Sequence, residues 1–450
     1  MNARARSAGA ESPRVALAEY RRRRARLTAL MAPGSIALVP AGSNRQRTRA
    51  TDYPFRQDSD FYYLTGFEEP DAVLVLAPGR QHGEVILFCA ERDAQRERWE
   101  GATLGPEQAV ASLGLDDAFP SADMSDILPG LLEGRSRIYV TLGEHPEFDA
   151  RLLGWVQRMR AAAGADAPPG DFSALQHLLH EQRLVKSAAE LRLMQRAADI
   201  SADAHARAMR ACRPGMTEGE LEAELVYEFM RQGGRYPAYP SIVGAGANAC
   251  VLHYRGSRAR LKDKDLVLID AGCEYGNYAA DITRTMPASG RFSADQQALY
   301  EVVLAAQEAA IEAVSAGADF DAPQRVARRV ITEGLIELKL IKVPLAEALE
   351  THSDARFCPT RISHWLGLDV HDVGDYRVDG AWRELEAGMV LTIEPGVYVA
   401  KDEPGVAARW RGMAVRIEDD VVVEKFGRRV LSEAAPKRPA DVQRMMRRKL

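Results

Sequence analysis

Cysteine is scarce in this sequence, and long apolar runs are absent. The five cysteines among 450 residues are scattered, odd in number and without C-x-x-C spacing, which argues against a disulfide framework and a thiolate-bound zinc site. We therefore expect a reducing, cytoplasmic compartment. No apolar run approaches the roughly 18 residues that a transmembrane helix needs, so we predict neither a membrane span nor a membrane partner.

An excess of positive charge is also missing. Lysine and arginine number 59 against 64 acidic residues, which gives a formal net charge of -5. Because no global basic field is available to hold a polyanion, nucleic acid is not an expected partner. Hydrophobic residues at 46% and charged residues at 27% are ordinary values for a globular protein with a sizeable core.

Arginine is concentrated near the N-terminus, from Arg4 and Arg6 to the run Arg21–Arg24. No apolar segment of the kind found in secretory signals follows it. An Arg-rich, acid-poor start is also typical of transit peptides, so a targeting segment is the alternative. We favour a solvated basic first helix, because Glu11 and Glu19 interrupt the arginines.

The chain is longer than one hydrophobic core usually serves, and we expect two domains. Residues 34–140 alternate short apolar runs with polar helical stretches, which predicts an α/β domain. The Pro-Pro pair within residues 165–170 opposes helix and predicts a linker. We place the N-terminal domain at residues 1–172 and the second at 173–450. The strands predicted for the first are Ser35–Pro40, Ala72–Ala77, Glu84–Phe88 and Arg137–Thr141.

Capping signals predict the first helices of the second domain. Two residue pairs have the spacing of a capping box, namely Ser187 with Glu190 and Thr217 with Glu220. Short β runs then alternate with helical stretches near residues 293–314 and 322–338, which predicts an α+β domain.

Residues 265–285 read as an apolar strand, a tight Gly-Asn turn and a second strand. If the turn is centred on Tyr275-Gly276, Asp270 and Asp281 lie directly opposite each other on one face. Opposed carboxylates repel, so a cation should lie between them, and oxygen ligands favour manganese, magnesium or calcium. The alternative is that Asp281 is solvated or paired with Arg284.

Two histidines, His364 and His371, bracket an apolar stretch that contains Gly367. Their spacing is compatible with one helix face, but Gly-Leu-Asp-Val is more typical of a loop that runs into a strand. A lone histidine there would be interpreted as a structural residue, whereas two indicate a site.

Charged residues follow or lie within two apolar strands near the C-terminus. Glu394 ends one strand, and Pro395 prevents its regular continuation. Arg416 and Glu418 should share one face of a strand over residues 413–423, because side chains alternate. Taken alone, these residues could be a solvated turn acid and a surface salt bridge.

Together, these segments resemble aminopeptidase P, the Xaa-Pro aminopeptidase branch of the pita-bread metallopeptidases. The resemblance implies a creatinase-like α/β N-terminal domain and an α+β pita-bread catalytic domain. It covers most of the chain and rests on FRQDSDFYYLTGFEEPDAVLVLAPG, CRPGMTEGELEAEL, NACVLHY, VLIDAGCEYGNYAADITRT, SHWLGLDVHDVGDYR, LTIEPGVY and RIEDDVVV.

The resemblance implies two divalent metal ions per chain, usually manganese, and hydrolysis by a water that bridges them. The implied metal ligands are Asp270, Asp281, His364, Glu394 and Glu418. Glu394 would also take the proton of the water, and His371 would stabilise or protonate the tetrahedral species. The residues implied in catalysis or substrate contact are His253, His371, Arg416, Tyr376, Tyr398 and Trp99.

Two positions depart from the family's pattern. Thr360 stands where the family usually has histidine, which puts one substrate contact in doubt. Thr103 stands where arginine is common in the family. It lies near Trp99, which matches a tryptophan that can reach a neighbouring active site in family tetramers. The alternative for Trp99 is an ordinary half-buried core residue.

The resemblance implies an exopeptidase that releases an N-terminal residue preceding proline, acting as a homodimer or homotetramer. The nearest alternative is a prolidase, which cleaves only Xaa-Pro dipeptides. A non-catalytic pita-bread binding protein is disfavoured, because all five metal ligands are present.

Overall fold

In a computed structural model of the chain, the structure describes residues 14–162 and 168–448. It has two compact units, Val15–Arg183 and a second that begins at Leu184. The boundary predicted from sequence falls between residues 172 and 173. Parts of the Arg-rich start and of the predicted linker, including Arg4, Arg6, Glu11 and residues 163–167, lie outside the described residues.

A mixed six-stranded sheet organises the N-terminal unit. All four strands predicted from apolar runs are confirmed, and the central strand Ser35–Pro40 is buried along its whole length, as expected where both faces are covered. In spatial order the strands are Asp117–Pro120, Val85–Cys89, Val73–Leu76, Ser35–Pro40, Arg137–Tyr139 and Asp171–Ser173, and a separate pair is formed by Gln46–Thr48 and Thr51–Asp52.

Helices cover this sheet and complete its core. Ile36, Phe88, Leu128 and Trp155 belong to one buried apolar cluster shared by strands and helices. The helices are Leu17–Leu30, Ser59–Thr65, Ala94–Glu100, Gly105–Leu113, Met124–Leu132, Pro146–Ala161 and Gln176–Leu184, with a 3₁₀ turn at Ser121–Asp123. The α/β class predicted for this part of the chain is confirmed.

The first helix corrects the prediction of a solvated basic segment. Arg23 and Arg24 are only 3% and 2% exposed. Arg23 donates a hydrogen bond to the carbonyl of Tyr63, and Arg24 donates to that of Leu64, at 3.0 and 2.8 Å. A buried guanidinium needs such acceptors in place of water, so these two arginines fasten the helix Leu17–Leu30 to its neighbours.

Both predicted capping boxes are present in the C-terminal unit. They open the helices Ala188–Ala211 and Glu218–Arg231, because each cap hydroxyl accepts an amide hydrogen bond that the first helical turn leaves unmade. The remaining helices are Ala294–Glu312, Ala322–Glu337, Leu345–Glu350 and Pro439–Met446, with 3₁₀ turns at Gly246–Cys250 and Ser353–Arg356. None of the described helices is long and apolar enough to span a bilayer.

Short antiparallel strands form the rest of this unit, and its core lies between them and the helices. The strand groups are Ile242–Ala245 with Leu266–Asp270 and Thr283–Pro287; Tyr236–Pro237 with Cys273–Tyr275 and Tyr278–Ala279; Val390–Ile393 with Asp419–Val423 and Arg428–Val430; Gly396–Val399 with Met413–Arg416; and Arg377–Val378 with Ala381–Trp382. The α+β class predicted for the second half of the chain is confirmed.

His205 links the helix Ala188–Ala211 to the hairpin that carries Asp270. The ring is fully buried, and its Nε2 donates a hydrogen bond to the carbonyl of Ala271 at 3.0 Å. Burial, with a smaller contribution from Arg284, lowers the pKa of His205 to about 4. The ring is therefore neutral in the folded protein at neutral pH.

We expect this neutral ring to make the fold sensitive to mild acid. The folded-state pKa lies below the ordinary value of 6.5, so the unfolded chain takes up the proton first as the pH falls. The contribution of the neutral ring to the free energy of unfolding is complete above about pH 6.5. It falls by up to about 3 kcal/mol as the pH is lowered towards 4. Free energies of unfolding at pH 7.5 and 4.5 should therefore differ less in His205→Gln than in the parent protein.

The exposed His82 provides the control for this measurement. His82→Gln should keep the parent pH dependence, because this side chain is exposed to solvent and makes no buried contact that the substitution would remove. An unchanged pH dependence in His205→Gln would contradict the assignment.

Candidate metal centre and active site

Asp270 and Asp281 lie on the two arms of one hairpin, but the prediction that they oppose each other directly is wrong. The turn is centred on Gly276-Asn277, whose φ angles of 57° and 65° suit a two-residue hairpin turn with two left-handed positions. Asp270 therefore pairs with Thr283. Asp281 lies two residues nearer the turn, a spacing that returns to the same face of a strand.

Tyr239 connects the two carboxylates. Its hydroxyl oxygen lies 2.6 Å from Asp270 Oδ1 and 2.5 Å from Asp281 Oδ1. Asp281 is only 6% exposed, and Arg284 pairs with Asp419 at 2.7 Å instead, so the alternative of a solvated or Arg284-paired Asp281 is wrong. Sequence reasoning missed Tyr239, which lies 31 positions before Asp270.

The loop 363–374 carries both histidines of the second motif. The predicted loop is confirmed, but the predicted strand at residues 368–370, directly after Gly367, is wrong. Within the loop only Trp365 forms a bridge, with Leu391. The rings of His364 and His371 have centroids 4.2 Å apart. They therefore face one small volume.

A buried ion pair supports this loop. Lys186 Nζ lies 2.9 Å from Asp372 Oδ2, and both side chains are 1% exposed. Gly367 is required beside them, because a Cβ there would lie 2.1 Å from Asp372 Oδ2. Lys186 and Asp372 position the loop on which His371 sits, and neither was identified from the sequence.

Ligand atoms of Asp281, His364 and Glu418 lie within 4.8 Å of one another. His364 Nε2 is 3.4 Å from Asp281 Oδ2 and 3.5 Å from Glu394 Oε1. Glu394 directly follows the strand Val390–Ile393, as predicted. The structure thus brings together the residues named as metal ligands, with Asp270 joined to the group through Tyr239.

Arg416 and Glu418 do not share one strand, contrary to prediction. The strand Met413–Arg416 ends before Glu418, and the next begins at Asp419. Both side chains nevertheless contact Thr283, whose hydroxyl donates to Glu418 Oε2 at 2.6 Å and accepts from Arg416 Nε at 3.0 Å. Arg416 also pairs with Asp270, so its guanidinium contacts one acidic side chain directly and reaches Glu418 through the hydroxyl of Thr283.

The site contains more negative charge than its own cations offset. Burial, together with neighbouring carboxylates, raises the pKa of Glu418 well above its ordinary range, that of Asp270 to about 6 and that of Glu394 to about 7. Burial alone would lower the pKa of His364, but a hydrogen bond to Asp281 and the charge of Glu394 raise it to about 9. Such crowded acidic oxygens with one imidazole fit a divalent cation.

Two family models match the chain. Metallopeptidase family M24 matches residues 192–425, and the Aminopeptidase P, N-terminal domain matches residues 20–139. The chain is 41% identical to Xaa-Pro aminopeptidase from Escherichia coli (strain K12), over 95% of this chain and 97% of that protein. The chain belongs to the aminopeptidase P branch of metallopeptidase family M24.

Solved structures of aminopeptidase P are similar throughout. The Pseudomonas aeruginosa aminopeptidase PepP is 52% identical, with a TM-score of 0.96 and coverage of 97% of this chain and 99% of that one. Aminopeptidase P from E. coli with the inhibitor Pro-Leu is 40% identical, with a TM-score of 0.93 and coverage of 96% and 98%. The predicted aminopeptidase P N-terminal domain and pita-bread catalytic domain are thereby confirmed.

The remaining residues implied by the aminopeptidase P resemblance have different environments. Tyr398 accepts a hydrogen bond from Arg416 at 2.8 Å, and the Tyr376 ring stacks on Trp365 with centroids 5.6 Å apart. His253 is exposed, and its charge is among those that lower the pKa of His371, after burial and His364.

The two departures from the family pattern lie in separate units. Thr360 is exposed on the chain segment just before the histidine loop. In the N-terminal unit, Trp99 on the helix Ala94–Glu100 is 86% exposed, so the alternative of a half-buried core tryptophan is wrong. Thr103 follows that helix and is half-buried.

Proposed function

We propose that the protein is a metal-dependent exopeptidase that releases an N-terminal residue preceding proline from peptides longer than dipeptides. One observation carries this proposal. This chain belongs to the aminopeptidase P branch, and the ligand atoms of its Asp281, His364 and Glu418 lie within 4.8 Å of one another. The E. coli relative solved with the inhibitor Pro-Leu supports a peptide substrate that contains proline.

Two divalent ions per chain, most consistent with manganese, would be held by the acidic side chains and one imidazole. Hard carboxylate oxygens with a single nitrogen ligand favour such a metal over one bound by thiolates. When bound, the ions supply Lewis-acid chemistry, in that they polarise a carbonyl and make water a nucleophile at neutral pH. The residues assigned to hold them are Asp270, Asp281, His364, Glu394 and Glu418.

Glu394 and His371 divide the proton transfers in this proposal. Glu394 follows the strand Val390–Ile393 and its carboxylate lies 3.5 Å from His364 Nε2, where we assign it to accept a proton from water. His371, beside His364, is assigned to take that proton on from Glu394 and deliver it to the departing nitrogen. Arg416 holds Asp270 and Tyr398 in place.

Proline sets special demands on such a site. The Xaa-Pro bond is a tertiary amide without an N-H group, and the ring fixes the direction of the chain. The site must therefore hold proline by shape and protonate a ring nitrogen as it leaves. We assign to that pocket the residues His253, His371, Tyr376 and Tyr398. The α-amino group of the substrate is assigned to the acidic residues.

The length of the preferred peptide tests the proposal. We expect kcat/KM for an Xaa-Pro-Yaa tripeptide to exceed that for the matching Xaa-Pro dipeptide by at least about tenfold, or about 1.4 kcal/mol. The dipeptide brings its charged carboxylate against the proline pocket, whereas the tripeptide places a neutral amide there. Initial rates on both peptides, with manganese added, measure this ratio.

Equal or faster cleavage of the dipeptide would identify a prolidase instead. Cleavage of neither peptide by manganese-loaded protein would contradict a peptidase altogether. Thr360 is the first position to exchange for histidine if the dipeptide is preferred, since it precedes the histidine loop.

We further propose that the aminopeptidase P-like domain spans residues 1–172 and the catalytic domain residues 173–450. The exposed Trp99, 86% accessible in the single chain, supports a homodimer or homotetramer in which it contacts substrate at a neighbouring site. The cysteine usage and net charge of -5 support a cytoplasmic protein without nucleic-acid or membrane partners.

A further inference from the structure

A pocket of about 570 Å³ adjoins the metal centre on the side of His364. Two arginines, Arg361 and Arg377, line it together with the half-buried Trp382. We propose that this pocket is a carboxylate-binding subsite, which recognises the terminal carboxylate of the residue that follows proline. The inference rests on the proposed exopeptidase function. It concerns the carboxyl end of the substrate, which the five metal ligands are not assigned to bind.

The two guanidinium groups are held close to one indole ring. The Cζ atoms of Arg361 and Arg377 lie 4.5 and 4.0 Å from the ring centroid of Trp382. Arg377 and Trp382 are direct partners across a two-strand hairpin, so the stacking is built into the backbone register. Cation-π contacts hold both planar groups in place, although their like charges repel.

Only part of this positive charge is offset within the protein. Arg361 donates to Asp321 at 2.7 Å, which engages one of the five N-H donors of its guanidinium. Arg377 donates to the carbonyl of Gly380, and no acidic partner of Arg377 is found among the described residues. Asp375 contributes one negative charge to the lining. A carboxylate, which accepts paired hydrogen bonds from guanidinium, complements the remainder.

Ser363 provides a second, independent observation. It lines the same pocket and is 8% exposed, yet its hydroxyl has no hydrogen-bond partner in the described part of the chain. Buried polar groups are nearly always paired, so this hydroxyl has an unused hydrogen bond at the wall of the pocket. A hydroxyl that can donate and accept suits a peptide backbone or a carboxylate.

The direction of a bound peptide follows from charge. The acidic residues around Asp281 attract the cationic α-amino end, whereas the pocket beyond His364 is lined by arginine. Tyr376 and Trp382 give that pocket an aromatic wall for an apolar side chain. A tripeptide lying across the metal centre with its amino end at the carboxylates therefore directs its carboxyl end towards Arg361 and Arg377.

The test compares Ala-Pro-Ala with its C-terminal amide on the manganese-loaded full-length protein. We expect kcat/KM to be at least about tenfold higher for the free acid, mainly through KM, because both peptides present the same Ala-Pro bond. In Arg361→Ala and Arg377→Ala the ratio of acid to amide should fall towards one. Arg429→Ala, which removes a surface arginine paired with Glu424, should retain the parent ratio.

A third peptide, Ala-Pro-Glu-amide, separates the two sources of a carboxylate. If Ala-Pro-Glu-amide is cleaved as slowly as Ala-Pro-Ala-amide, the pocket recognises the carboxylate of the chain terminus. If it is cleaved as fast as the free acid, the pocket also accepts the carboxylate of an acidic side chain at that position. A parent ratio within twofold of one, or an unchanged ratio in both arginine variants, would overturn the subsite. Cleavage of none of the three peptides would instead overturn the proposed function.

Discussion

Replacing His371 with alanine should lower kcat by about 100- to 10,000-fold, the usual contribution of a positioned general acid. His371 stands 4.2 Å, ring to ring, from His364, but His364 already supplies the imidazole nitrogen nearest Asp281 and Glu394. The alanine variant should therefore keep its metal while it loses the proton donor for the departing proline nitrogen. Steady-state kinetics on Ala-Pro-Ala and elemental analysis of the same preparation measure the two quantities.

The exposed His82 serves as the matched control, since His82→Ala removes an imidazole from the surface of the N-terminal unit. Its kcat should stay within twofold of the parent value. Loss of metal from His371→Ala would show that His371 is a metal ligand. A kcat within a few-fold of the parent value would show that it takes no part in catalysis.

Asp281→Asn should abolish both metal binding and activity, with kcat/KM lower by at least about 1,000-fold, because several kcal/mol of transition-state stabilisation come from the metal centre. The Asp281 carboxylate contacts His364 and Tyr239 and is buried. Asparagine preserves its size but removes the charge that a site for divalent cations needs. Metal content after dialysis against manganese, and activity in parallel, give the result.

Asp402→Asn changes an exposed aspartate in the same unit and should behave as the parent protein. Circular dichroism and thermal unfolding of both variants separate metal loss from misfolding. Full metal content with full activity in Asp281→Asn would eliminate the dinuclear centre as described.

Local signals in the sequence predict much of the fold. The capping boxes at Ser187 and Thr217 fix helix starts because their hydrogen bonds involve only four consecutive residues. The hairpin error was also local: the turn needs two left-handed residues, and Gly276-Asn277 supplies them where Tyr275-Gly276 does not. Centring the turn on Gly-Asn would have paired Asp270 with Thr283.

Alternation predicts that Arg284 does not pair with Asp281. Three positions separate Asp281 from Arg284, an odd number that directs the two side chains to opposite faces of a strand. Arg284 accordingly reaches Asp419. The same rule failed for Arg416 and Glu418, because the strand breaks between them.

Partners brought together from distant parts of the chain could not be predicted. The hydroxyl of Tyr239 reaches carboxylates 31 and 42 positions later, and its immediate neighbours in the chain, Ala238 and Pro240, carry no charge. Arg23 and Arg24 look like solvated cations in a run of four arginines, and only the tertiary carbonyls they meet reveal their burial. Long-range packing, which no single segment encodes, decides such positions.

The ion pair between Lys186 and Asp372 has a consequence for where the catalytic unit can be cut. The match to family M24 begins at residue 192, yet Lys186 is 1% exposed and supplies the counter-charge beneath the His371 loop. Its amide also donates to the carbonyl of Gly388 at 2.9 Å. A fragment that starts at 192 would remove the cation that offsets the buried carboxylate of Asp372, at a cost of about 3–5 kcal/mol, so an autonomous catalytic fragment has to begin upstream of Lys186.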